Sequence, residues 1–184
     1  MQKNTMLAAS ALALMSMTAG LQADALEDIS DHPLVPRIQE TELIAHDHVD
    51  HDRHVIPWGP HRDGAWKETI EVDGAHERFA YILRDPDIRP LPLSVAYKSV
   101  LGLRGFEIDF LAVGRTHLPD DFSEDPHFSR DVDHHPGGAP SPDSDLDARR
   151  FFGARHADED LYVTVFIHEN AEGEPVILVS IVEP

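Results

Sequence analysis

Between Ala45 and Val55 the chain reads His46-Asp47-His48-Val49-Asp50-His51-Asp52-Arg53-His54, which places four imidazoles and three carboxylates within nine residues. Neutral imidazole is a ligand for zinc, copper(II) and nickel, and a carboxylate can complete a tetrahedral zinc site. Backbone conformation decides whether these donors converge. In an extended chain successive side chains alternate sides. His46, His48, Asp50, Asp52 and His54 would then share one face, with the Cα atoms of each His-x-His pair about 6–7 Å apart. A helix would instead fan the four imidazoles over more than half its circumference. The expected metal ligands are therefore His46, His48, Asp50, His51, Asp52 and His54, holding zinc or another divalent transition metal, with neighbouring aspartates orienting the ring N–H groups. Sulfur ligands are missing from this set. There is no Cys, and all four Met residues lie within the first 17 positions, which disfavours a Cu(I) site.

Four further histidines, His117, His127, His134 and His135, fall in or beside a second irregular region at 117–149, where a loop folded over the first segment would add donors. His32, His61, His76, His156 and His168 form no pattern of their own. The six residues His46 to His51 resemble the H-x-H-x-D-H signature of the metallo-β-lactamase superfamily. That resemblance implies two zinc ions, the first two His on one and the Asp and last His on the other, activating water for hydrolysis. It spans six residues of 184, and positions 24–45 are too few for the leading strands of that four-layer fold, so no membership follows. No Gly-x-Ser-x-Gly elbow or phosphate-cradling glycine loop is present. Asp143 to Asp147 begins like a calcium loop, but Ala148 and Ala154 stand where Gly and Glu are needed.

The elements that would carry these residues follow from composition and periodicity. Residues 1–23 read as a cleavable signal peptide: a charged start with Lys3, an apolar run from Met6 to Ala19, and small residues before Asp24. That run is too short to span a membrane comfortably. The expectation is a periplasmic or secreted protein with no stable membrane insertion after cleavage. Formal charge is −19, or −20 without residues 1–23, a field that repels nucleic acid and anionic lipid and attracts cations. Without Cys there are no disulfides, so packing alone stabilises the chain.

Positions 24–65 show little apolar period and read as an irregular acidic His-rich arm. A β-rich globular domain follows over 66–184. Trp66–Val72 alternates with period two, Asp73-Gly74 supplies a turn signal, and Arg78–Leu83 continues strand-like, which together predict a hairpin. Prolines at 86, 90 and 92 exclude regular structure over Asp85–Pro92, and Ser94–Leu103 reads as a short helix. Gly105–Val113 and Leu161–His168 are strands, and Val176–Val182, apolar on both faces, is predicted to lie centrally in the sheet. The expected fold is α+β or mainly β: an antiparallel sheet of about five strands with one or two short helices.

The leading expectation is an exported divalent-metal-binding protein acting in binding, buffering or delivery, with metal ions as its partners. A small metal-dependent envelope hydrolase is the catalytic alternative. A non-enzymatic envelope interaction domain with incidental histidines is the third, and it would show an apolar surface patch and no converging imidazoles.

Overall fold

Val176 to Val182 is apolar at every position except Ser180, and a strand with that pattern must be covered on both faces. A computed structural model shows how. It describes Leu26, residues 28–120, Phe122 and residues 145–184. The signal-peptide segment 1–23 and most of the 117–149 loop, including His127, His134 and His135, lie outside the described residues. In order the elements are β1 (Glu42–Pro57), β2 (His61–Arg62), β3 (Ala65–Trp66), β4 (Thr69–Ile82), α1 (Pro90–Leu103), β5 (Glu107–Val113), α2 (Gly114–His117), β6 (Arg150–His156), β7 (Leu161–Glu169) and β8 (Pro175–Glu183). β1, β4, β8, β7, β6 and β5 form one antiparallel sheet in that order, and β2 pairs only with β3. β8 is therefore central, as its two-sided apolar pattern requires.

Helix α1 covers one face of this sheet. Its buried residues Leu93, Tyr97 and Leu101 lie against strands β5, β6 and β7. On the other face two apolar clusters form. One gathers Ile44, Ala80, Ile82, Leu118, Phe122, Phe151, Phe166, Val176 and Leu178; the other holds Ile56, Trp58, Val72 and Val182. The β7–β8 turn is set by Asn170, whose side-chain oxygen accepts the N–H groups of Glu172 and Glu174, while Gly173 takes a left-handed φ of 80°.

Three local expectations are corrected. Residues 42–57 of the expected irregular arm form the longest strand of the sheet, because β4 offers it a full edge; pairing overrides a sequence with weak apolar period. The expected hairpin around Asp73-Gly74 is one continuous strand, β4. Gly74 serves close approach there instead of turning: a Cβ on it would meet the carbonyl oxygen of Glu183 at 2.0 Å. The proline-rich stretch enters α1, with Pro90 and Pro92 in its first turn, where backbone N–H groups have no intrahelical acceptor and Pro costs nothing.

Because the obstructing atom at Gly74 is backbone, Gly74→Ala must displace the end of β8. Expected is a loss of about 2–3 kcal/mol in urea unfolding, against no loss and a gain of up to about 1 kcal/mol for Gly102→Ala, a helical site open to solvent.

Candidate functional site

The His/Asp segment is the edge strand β1, and its register decides which side chains meet. His46 pairs with Phe79, His48 with Glu77 and Val49 with His76, but the next paired residue, Asp52, sits opposite Gly74. β1 thus advances three residues while β4 advances two. This bulge reverses the side-chain alternation. His46 and His48 lie on the face of Glu77 and Phe79, whereas His54, opposite Val72, lies on the other face.

Each histidine accordingly has its own surroundings. His46 Nε2 is 2.9 Å from Glu77 Oε1, and its ring rests 4.8 Å from that of Phe79. His48 Nε2 is 3.0 Å from Asp50 Oδ1 on an exposed surface. His51 is exposed within the bulge, and Asp52 accepts the N–H of Arg53. The His54 ring meets the His76 ring edge-on at 4.2 Å. His117 takes the Val113 N–H on Nδ1 and contacts Arg62 through Nε2. Among the described residues no three His, Asp or Glu side chains are grouped to hold a metal ion. The expected common face for His46, His48, Asp50, Asp52 and His54 does not form, because the bulge splits it. Nor does the stretch His46–His51 follow a strand end, since it lies inside a strand paired along its length.

On the face of His54 the register lines up polar residues that are far apart in the sequence. Asp47, Arg78, Ser180 and Thr164 are successive cross-strand neighbours on β1, β4, β8 and β7. Arg78 donates to Asp47, and His76 Nε2 shares a hydrogen bond of 2.5 Å with Ser180 Oγ. Arg78, His76, Ser180 and Thr164 are all buried. This seam runs between the two apolar clusters. Arg78 with Asp47 and His76 with Ser180 bond in pairs across neighbouring strands, which satisfies buried polarity and fixes the β1–β4–β8 register.

A different surface stands open. Successive α1 residues turn by about 100°, so Leu91, Pro92, Val95, Ser99, Gly102 and Leu103 fall within roughly a third of the helix circumference. All six are exposed, with Leu91 at 53%, Val95 at 51% and Leu103 at 88%. None of the six is charged. Between Asp87 and Glu107 there is no acidic residue at all, while Arg89, Lys98 and Arg104 are present, in a chain whose formal charge is −19. That run was visible in the sequence as a gap in the acidic residues; the outward direction of its apolar arc was not.

No protein-family model matches the chain, and no curated protein matches it.

The seam gives a stability test. The Arg78 side chain is only 9% exposed, so Asp47→Ala leaves a nearly buried guanidinium uncompensated and should cost about 3 kcal/mol. Glu71→Ala, which breaks the exposed Arg53–Glu71 pair, should cost under ~1 kcal/mol. Paired denaturant titrations measure the difference.

Proposed function

We propose that this chain is a non-catalytic interaction domain of an exported protein, docking a protein partner through the outer arc of α1. What carries the reading is the exposed, charge-free arc of Leu91, Val95 and Leu103. Exposed apolar groups scattered singly are ordinary on protein surfaces, but a contiguous patch on one element marks a contact surface. Charge sets the chemistry of the partner. Lys98 borders the arc, and no acidic residue lies between Asp87 and Glu107, which fits an apolar protein surface bordered by carboxylates. The imidazoles of β1 serve packing and surface pairing in this reading.

The test places a photo-crosslinking residue at Val95 in cells of the source organism, with Asp158, in the β6–β7 turn, as control. Expected is a discrete protein adduct at Val95, absent at Asp158, and lost when Leu91 and Leu103 are both changed to Lys. Both leucines are exposed, so folding should change by under ~0.5 kcal/mol. An adduct at both positions, no adduct, or retention of the purified chain on vesicles instead of protein would sink the reading.

A second reading is divalent-metal capture on the outer face of β1. The observation favouring it is that His46, bonded to Glu77, and His48, bonded to Asp50, stand on one face, and imidazoles oriented by carboxylates are what metal sites use. The ligands in this reading are His46 and His48, with Glu77 and Asp50 orienting their rings and His54 left out. Zinc titration calorimetry on the wild type and on a His46→Ala, His48→Ala variant decides it. Micromolar binding of defined stoichiometry, abolished in the variant, would sustain metal capture; equal weak binding by both would remove it.

A further inference from the structure

His168, near the end of β7, is fully buried. Its Nδ1 lies 3.2 Å from the carbonyl oxygen of Glu169, so Nδ1 carries the proton and donates it. Nε2 is then a bare lone pair, and it has no hydrogen-bond partner among the described residues. Among the described residues nothing stands ready to accept a second ring proton from His168. Val176 is the cross-strand neighbour on β8, and the Phe166 ring lies 5.2 Å away on the same strand. The charged group facing His168 from the start of β6 is the buried guanidinium of Arg149, held by the carbonyls of Leu146, Pro119 and Asp120. Asp120 and Asp145 lie further out, the first 3.9 Å from Arg149 and the second 3.8 Å from Arg89. Glu174 is engaged by Asn170 and Arg84. Burial chiefly, with Arg149 adding to it against the opposing Glu169 carbonyl, pushes the imidazole down to about 4.

The neighbour of this histidine ties two elements together. The Glu169 carboxylate, itself buried, pairs with Arg89 at 3.1 Å, and Arg89 occupies the N-cap position of α1. We propose that His168 is an acid-sensitive latch. Kept neutral, it holds the end of β7 closed and, through Glu169 and Arg89, fixes the first turn of α1; protonated, it opens that end of the sheet and releases the helix start. That opening should control partner docking is the part of this inference that rests on the function proposed above.

The sign follows from proton uptake. The opened state exposes an ordinary imidazole and binds a proton below about pH 6.5, whereas the closed state does so only below about 4. The closed form is therefore fully favoured above pH 6.5. Its opening constant rises by up to about tenfold per pH unit as pH falls from 6.5 to 4, then levels off.

The experiment is amide hydrogen exchange on the full chain between pH 7 and 4, corrected for intrinsic exchange, together with an NMR titration of the His168 ring. Expected are a ring that stays neutral to about pH 4, and protection of the amides of Ser94–Tyr97 and of the Asn170–Glu174 turn that falls about tenfold per unit. His168→Phe should flatten that slope. If this variant does not fold, His168→Gln removes the titrating group while keeping a side-chain donor. A ring midpoint near 6.5, or an unchanged slope in the variants, overturns the latch. The two proposals fail separately: loss of the Val95 adduct at pH 7 sinks docking and leaves the exchange result standing, while flat exchange sinks the latch and leaves the adduct.

Discussion

The requirement to cover β8 on both faces governs the rest of the architecture. Val176, Leu178 and Val182 need one cover and Ile177, Val179 and Ile181 another, and all six are buried. Burying a side chain of this size contributes about 1.5–3 kcal/mol. One strand therefore accounts for a sizeable part of the driving force and dictates a layer on each side. The aromatic groups of Trp58, Trp66, Phe110, Phe122 and Phe151, in ring contact with one another, lie on the side of Val176, Leu178 and Val182. α1 lies on the opposite face of the sheet, against β5, β6 and β7. β4 and β7 must then flank β8, and β1 can join only at the outer edge of β4.

That edge position is why the histidines are dispersed. An edge strand must follow the twist of its partner without inviting a further strand, and a bulge with charged side chains serves both needs. β1 has two register irregularities, between Leu43 and Ala45 and between Val49 and Asp52. The second falls inside the His/Asp run, so residues that alternate regularly in sequence change faces in space. What the sequence offered as one chelating row becomes an outer group, His46 and His48 with Glu77 and Asp50, and an inner one, His54 with His76. Chemical richness of a segment says little about convergence when its backbone parity is unknown.

Much of the fold was legible because its strongest signals are physical. The two-sided apolarity of Val176–Val182, the Asn170–Gly173 turn and the alternation after Gly105 each point to a single solution, and β8, its hairpin with β7 and β5 stand where these signals place them. The failures share one cause, which is that a local signal was read without its neighbour. Asp73-Gly74 has the residues of a turn, yet Gly74 answers to the close approach of Glu183, 109 residues later. Residues 42–57 lack a clean period, yet they gain a full set of β4 partners. The polar seam of Asp47, Arg78, Ser180 and Thr164 was invisible for the same reason: its members come from four strands and meet only through register.

The outer arc of α1 is the feature that folding does not explain. Leu91, Val95 and Leu103 keep half or more of their surface in water, so they add little to the core. Val is also a poorer helix former than Lys, Glu or Ala, and a polar residue at position 95 would serve the helix better. Elsewhere the chain is free with charge, spending 34 acidic residues on 184 positions, so a charge-free exposed face is not what its composition would supply by default. The buried seam can be understood through the stability it maintains, and the β1 histidines through the pairs they make. Among the described residues the α1 arc has no such account, and the docking proposed above would give those side chains a role.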